Sequence, residues 1–247
     1  LIVVLLLIWL IKKRDYQYII LLLASYYFYY FSSGIFFLLL LFSSVLDFYI
    51  GKKVYDAKDK KTKKFFIILT LISNLGILAF FKYTNFAIDS INDFLIMLGF
   101  SPSLPVLNII LPIGISFFTF QTMSYTLDIY FGNLKPADSF LRYMLYVAFF
   151  PQLVAGPILR AADFLPQLGK SIFFSYTNLK SGLTLVGWGL VKKVVFADNI
   201  APLVNAIFDD PIGLNSILII IGAVGFGIQI YCDFSGYSDM AIGLAKM

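Results

Sequence analysis

LNSILIIIGAVGFGIQIYCDFSGYSDMAIGLAKM, Leu214 to Met247, starts as a membrane span and then turns polar where a membrane should reject it. Leu214 to Tyr231 carries no charge, and its length as a helix, about 27 Å, nearly matches the ~30 Å hydrocarbon core. The polar residues come immediately after. Asp233 and Asp239 are six positions apart, so on one continuous helix they project about 120° apart. Asp233 shares a face with Gln229 and Tyr237, whereas Asp239 shares one with Ser235 and Cys232. A lipid-facing helix cannot hide two polar faces. The segment must be enclosed by protein or break near Ser235-Gly236, and two ionisable groups in such a place mark a functional site or a structural polar network.

Composition sets the solvent. Of 247 residues, 60% are hydrophobic and 13% charged, about half the charge of a soluble domain, and mean hydropathy is +0.87. This is a multi-span membrane protein of all-α class, read as one membrane domain over residues 1–247. The chain contains no His, and its acidic residues are all Asp. That removes Ser-His-Asp and Cys-His devices and the commonest metal ligand. The single cysteine forms neither an internal disulfide nor a CxxC metal site, and no zinc-site spacing or phosphate loop occurs. The start at Leu1, inside an apolar run, and the end at Met247 suggest a fragment open at both ends.

The remaining apolar blocks are Leu1–Ile11, Tyr16–Phe31, Ile35–Ile50, Phe65–Phe81, Val106–Phe131, Phe140–Phe150 and Leu179–Phe196. Ser32-Ser33-Gly34 separates the second from the third. Phe86–Phe100, with Asp89, Asn92 and Asp93 on one side, is expected to lie in the interface as a separate helix. Lys12–Arg14 and the seven lysines between 52 and 64 supply ten of the nineteen basic residues. Both clusters fall on one side if 16–31 and 35–50 are separate spans, and the positive-inside rule places that side in the cytoplasm. Attraction to anionic lipid suits them better than nucleic-acid binding. SYYFYYF, Ser25–Phe31, fits an interfacial aromatic belt, and Gly222, Ala223, Gly225 and Gly227 fit close helix packing.

Two further segments hold polar groups inside apolar sequence. In LPIGISFFTFQTMSYTLDIYFG (Leu111–Gly132), Gln121, Ser124, Tyr125 and Asp128 recur at i, i+3, i+4, i+7 as one stripe, lining a wet cavity or gluing helices together. In FFPQLVAGPILRAADFLPQL (Phe149–Leu168), Pro151 and Pro157 interrupt the helix around Gly156. Non-helical apolar backbone of this kind belongs inside protein or along a cavity, so a re-entrant or broken-helix element is expected. Arg160 and Asp163 could pair at its mouth.

LPIGISFFTFQ, FFPQLVAGPI, GLVKKVVFADN (Gly189–Asn199) and QIYCDFSGYSDMAIGLAKM occur in an order and spacing that resembles the membrane-bound O-acyltransferases. The closest likeness is to the alginate O-acetyltransferase branch, near the D-alanyl transfer proteins. It covers essentially the whole chain and is densest from Leu111 onward.

The resemblance implies a ring of transmembrane helices, with the broken element, around a central funnel in a bacterial inner membrane. Through it an acyl group passes from acetyl-CoA or an acyl carrier thioester, with no bound cofactor and no metal, to extracytoplasmic acceptor or transferase proteins of a polysaccharide-modification system. Membrane lipids are the other expected partners, and nucleic acid is not one. Gln121, Asp128, Gln152, Gly156, Pro157, Gln229, Asp233, Ser235, Tyr237, Ser238 and Asp239 are the candidates to line the site. The family's histidine is expected beyond Met247, which leaves this stretch the N-terminal half, without the acyl-transfer base and inactive alone. Asp233 and Asp239 could orient that histidine but not replace it, since an ordinary Asp with a pKa of ~3.9 is a poor base at pH 7. D-alanyl or other acyl transfer to an envelope polymer remains an alternative, as does a non-enzymatic transporter or scaffold subunit.

Overall fold

The computed structural model describes residues 2–100, 105, 107, 109–153, 158–169, 173–210 and 214–247. Among them there is no β-strand, so the protein is an all-α polytopic membrane protein. The helices in chain order are α1 (Ile2–Leu10), α2 (Arg14–Ser33), α3 (Phe37–Asp56), α4 (Lys60–Met97), α5 (Ile115–Tyr130), α6 (Phe140–Ala148), α7 (Phe150–Leu153), α8 (Ala161–Phe164), α9 (Tyr176–Leu190), α10 (Asp198–Asp209) and α11 (Ser216–Lys246). A π-helical segment, Val191–Ala197, joins α9 to α10 without a break. Among the described residues three helical stretches are long and apolar enough to cross a membrane: Arg14–Asp56, Lys60–Met97 and Ser216–Lys246. The described residues form two compact units, one within 13–153 and 158–169, the other within 2–12 and 173–247.

The first unit packs α3 against α4 and α5, and α2 against α6. Its centre is aromatic. Tyr125 and Tyr143 stand 4.4 Å apart between ring centroids, and Phe48, Tyr146 and Phe164 extend the column. Gly34 bends the chain between α2 and α3 at φ 58°, a conformation that favours glycine, so the Ser-Ser-Gly turn falls where expected. The SYYFYYF belt divides its roles. Tyr27 and Phe31 are exposed, whereas Tyr29 is fully buried and donates its hydroxyl to the Ile113 carbonyl at 2.9 Å.

Two expected boundaries move. Phe86–Phe100 is not a separate interfacial helix, because α4 runs unbroken to Met97. No Pro or Gly lies between Phe80 and Asp89 to stop it. At about 1.5 Å per residue the 38-residue helix is roughly 57 Å long, so one crossing cannot contain it. Conversely, the span expected over 106–131 becomes helical only at Ile115. Pro112 contributes no N–H, and Gly114 adopts left-handed backbone at φ 74°, so the helix is nucleated after both. The break expected around Gly156 lies outside the described residues; on either side of it α6 stops at Ala148, ahead of Pro151, and α7 and α8 are single turns.

The second unit is built on α11 and the α9–α10 rod. Gly182 with Gly243, and Gly189 with Gly236, bring backbone against backbone. A methyl at Gly189 would sit 2.5 Å from the Gly236 carbonyl, and one at Gly182 would sit 2.6 Å from that of Gly243. Each pair member is seven residues from the next on its own helix, so both contacts lie on one seam. Farther along, Gly222 and Gly225 receive Ile207 and Val204 of α10, while Gly227 meets nothing. Trp9 of α1 donates to the Met247 carbonyl at 3.2 Å.

Candidate functional site

The segment 214–247 does not break. α11 is continuous from Ser216 to Lys246, and Gly236, the expected break, is instead the close contact with Gly189. Within this chain the buried positions of α11 are Gly222, Gly236, Ala241 and Gly243. The two polar faces are instead met by two consecutive lysines. Lys192 Nζ lies 2.6 Å from Asp239 Oδ2 and donates to Ser235 Oγ at 2.9 Å. Lys193 Nζ lies 2.6 Å from Asp233 Oδ1 and 2.8 Å from Asp198 Oδ1, and 5.5 Å from the centroid of the Tyr237 ring.

The faces expected from helical spacing are therefore the faces used: 235 with 239, and 233 with 237. Two features let neighbouring lysines do this. The glycine seam brings the backbones close enough for both side chains to cross it. The π-helical turn, bonded i→i+5, also sets successive residues at less than the ~100° separation of an α-helix. The latch is half-exposed, with Lys192 and Asp239 side chains 30% and 22% accessible. Beside it, Gln229 Oε1 and Ser238 Oγ are buried with no hydrogen-bond partner among the described residues. These orphaned oxygens are open to a donor from a ligand, water or further protein.

In the first unit, Gln121 and Gln152 come together. Both are buried, and both donate to the Tyr146 carbonyl, at 2.7 Å and 3.3 Å. The Tyr146 hydroxyl lies 3.0 Å from the Leu159 carbonyl, which ties the chain after the helix break to α6. The rest of the stripe is spent locally. Ser124 donates to the Gln121 carbonyl, and the Tyr125 hydroxyl accepts from the Ala137 N–H at 3.0 Å. Asp128 is half-exposed, and its backbone carbonyl receives Asn133 and Leu134. Gly156 and Pro157 lie outside the described residues. Arg160 and Asp163 meet only through backbone, the Asp163 N–H donating to the Arg160 carbonyl at 3.1 Å; the expected ion pair is not among those of the described residues.

A third centre lies outside the polar segments that the sequence singles out. Asp47, fully buried in α3, accepts from the hydroxyl of Thr70, from Asn74 Nδ2 at 2.8 Å and from the Thr126 hydroxyl at 3.2 Å. Thr122 in turn lies 3.4 Å from Asn74 Oδ1. One carboxylate thus fastens α3, α4 and α5. Its signals in the sequence are an Asp inside FSSVLDFYI, Thr70 and Asn74 at i, i+4, and Thr119, Thr122 and Thr126 at i, i+3, i+7, on a different face of α5 from the Gln121–Asp128 stripe.

No family model matches the chain. The relatives it resembles are a peptidoglycan O-acetyltransferase of Helicobacter pylori, 36% identical over 82% of this chain and 42% of that protein, and a probable alginate O-acetylase AlgI of Pseudomonas aeruginosa, 37% identical over 83% of this chain and 39% of that protein. The corresponding protein of Azotobacter vinelandii is 36% identical over 83% of this chain and 40% of its own length. The chain therefore spans about two fifths of the curated relatives it matches. The chain belongs to the membrane-bound O-acyltransferase family.

Proposed function

We propose that this chain forms part of a membrane-embedded O-acetyltransferase of a bacterial inner membrane, passing an acetyl group from a thioester donor to a cell-envelope polysaccharide or its partner transferase. The observation that carries the reading is the lysine–aspartate latch: the motif residues Asp233, Ser235, Tyr237 and Asp239 converge on Lys192 and Lys193 of a second shared motif. Relatives that match about four fifths of this chain are named a peptidoglycan O-acetyltransferase and a probable alginate O-acetylase. Transfer from a thioester to a hydroxyl requires a general base and donors for the developing oxyanion. Within this chain the lysines are engaged by carboxylates and there is no histidine, so the latch acts as a positioning device for the chamber wall. Gln229 and Ser238 offer free acceptors beside it. The base comes from elsewhere in the whole protein. The basic segments 12–14 and 52–64 face the cytoplasm in this reading, where the thioester donor, acetyl-CoA or an acyl carrier, is found.

The test uses the full-length protein in inverted membrane vesicles supplied with radiolabelled acetyl-CoA. Acetyl groups should appear on an exported polymer or on a partner protein, and Lys192→Met should reduce this at least ~10-fold while the protein remains in the membrane. Ion-coupled uptake of a solute without any acetyl transfer would replace this reading with a transporter.

A further inference from the structure

A different part of the molecule gathers more positive charge than it neutralises. Where α2 begins, beside α6, a cavity of about 630 Å³ is lined by Lys13, Arg14, Asp15, Tyr16 and Arg142. That is three cations against one carboxylate. Among the described residues none of the three cations joins an ion pair; the ion pairs there belong to Lys192 and Lys193.

The two guanidinium groups are held by neutral partners instead. Arg14 Nη1 donates to the Gly169 carbonyl, and the Arg142 guanidinium stands 5.8 Å from the centroid of the Tyr18 ring. Each guanidinium has five N–H donors, so these contacts leave most of them without a protein acceptor among the described residues. Lys13 occupies the N-cap position of α2 with no side-chain cap. The first-turn N–H groups of a 20-residue helix therefore stay open and add the positive end of its dipole. Planar guanidinium forks, an ammonium and open helix amides form a set suited to tetrahedral oxyanions rather than to a lone carboxylate.

We propose that this cavity binds a phosphate group, with Arg14 and Arg142 as the bidentate contacts and Lys13, whose Nζ stands 5.9 Å from the Tyr16 ring centroid, as the third cation. The inference does not depend on the acyl-transfer reading. The same chemistry is offered by an anionic lipid headgroup and by a soluble phosphate-bearing molecule, and the volume accepts either.

The experiment takes the full-length protein in phosphatidylcholine nanodiscs and titrates inorganic pyrophosphate calorimetrically. A second arm measures retention of phosphatidylglycerol by native mass spectrometry. The Arg14→Gln/Arg142→Gln pair should weaken binding at least ~10-fold in whichever arm binds, whereas Lys60→Gln/Lys61→Gln, the same charge change at the start of α4, should leave it within about twofold. Pyrophosphate binding identifies a soluble phosphate ligand, and phosphatidylglycerol retention alone identifies the headgroup. If the arginine pair loses its cooperative melting transition, Lys13→Gln decides, with an expected loss of about threefold. Absence of binding in both arms, equal weakening by the two lysines of α4, or unaltered binding by Lys13→Gln would overturn the proposal.

Discussion

Asp47 and Asp239 both lie in helical stretches long and apolar enough to cross a membrane, yet they are handled in opposite ways. Asp47 is wholly inaccessible and is answered by neutral donors, two threonine hydroxyls and an asparagine amide. Asp239 is 22% accessible and is answered by a lysine. The difference follows from what each partner costs to bury. An ammonium removed from water loses several kcal/mol of hydration even when paired, while a hydroxyl loses far less. In a dry three-helix contact a set of neutral donors satisfies a carboxylate more cheaply than one lysine. At a half-wet seam the lysine keeps part of its hydration, and its long stem lies along apolar surface.

Asp47→Ala is the strongest way to break this comparison. It leaves Asn74, Thr70 and Thr126 without their shared acceptor, and the expected cost is about 3–5 kcal/mol from several stranded buried groups. Unfolding in mixed micelles should show it. Loss below ~1 kcal/mol would mean that water reaches the centre. Gly189→Val comes next. Its branched side chain would meet the Gly236 carbonyl and Met240, with an expected cost of about 2–3 kcal/mol for overpacking. Cross-linking between cysteines placed at 192 and 239 should fall in parallel, because the seam sets that distance.

Asp239→Asn should lower the unfolding midpoint by much less than Asp47→Ala, and the gap between it and the parent should shrink in molar salt, since a half-exposed pair is screened. A salt-independent loss would place Asp239 in the same dry class as Asp47.

Asp59 extends the series to full solvation. It caps α4, its carboxylate accepting from the Thr62 N–H at 2.7 Å, and this bond holds its carboxyl below the usual range. A depressed folded pKa contributes stability above the unfolded value, near pH ~4, and loses it as the pH falls through the folded one. Asp59→Ala should therefore lower the midpoint slightly at pH 7 and flatten its fall in acid, the smallest effect of the four. A midpoint equal to the parent's at pH 7 would show that the cap is dispensable.

Much of the latch is legible in the sequence. The grouping of Asp233 with Tyr237 and of Asp239 with Ser235 is helical geometry, and the lysines use those groups as they stand on the helix. What periodicity does not supply is the partner. Lys192 and Lys193 lie some forty residues upstream, and nothing in their spacing points to α11. The Asp47 centre is hidden for a related reason. Its donors come from two other helices and look unremarkable singly, since Ser and Thr in apolar helices usually bond their own backbone.

The solvent, the all-α class, the turn at Gly34 and the two polar faces of α11 are legible without the tertiary structure. These rest on local properties: hydropathy, glycine geometry, and the 3.6-residue period. Only the tertiary structure decided that α11 runs through Gly236, because the glycine there serves a close contact with Gly189 rather than a bend. It alone decided which charges are neutralised by lysine and which by hydroxyl and amide. Those outcomes depend on how much water remains at each helix contact, and that is fixed when helices distant in sequence come together.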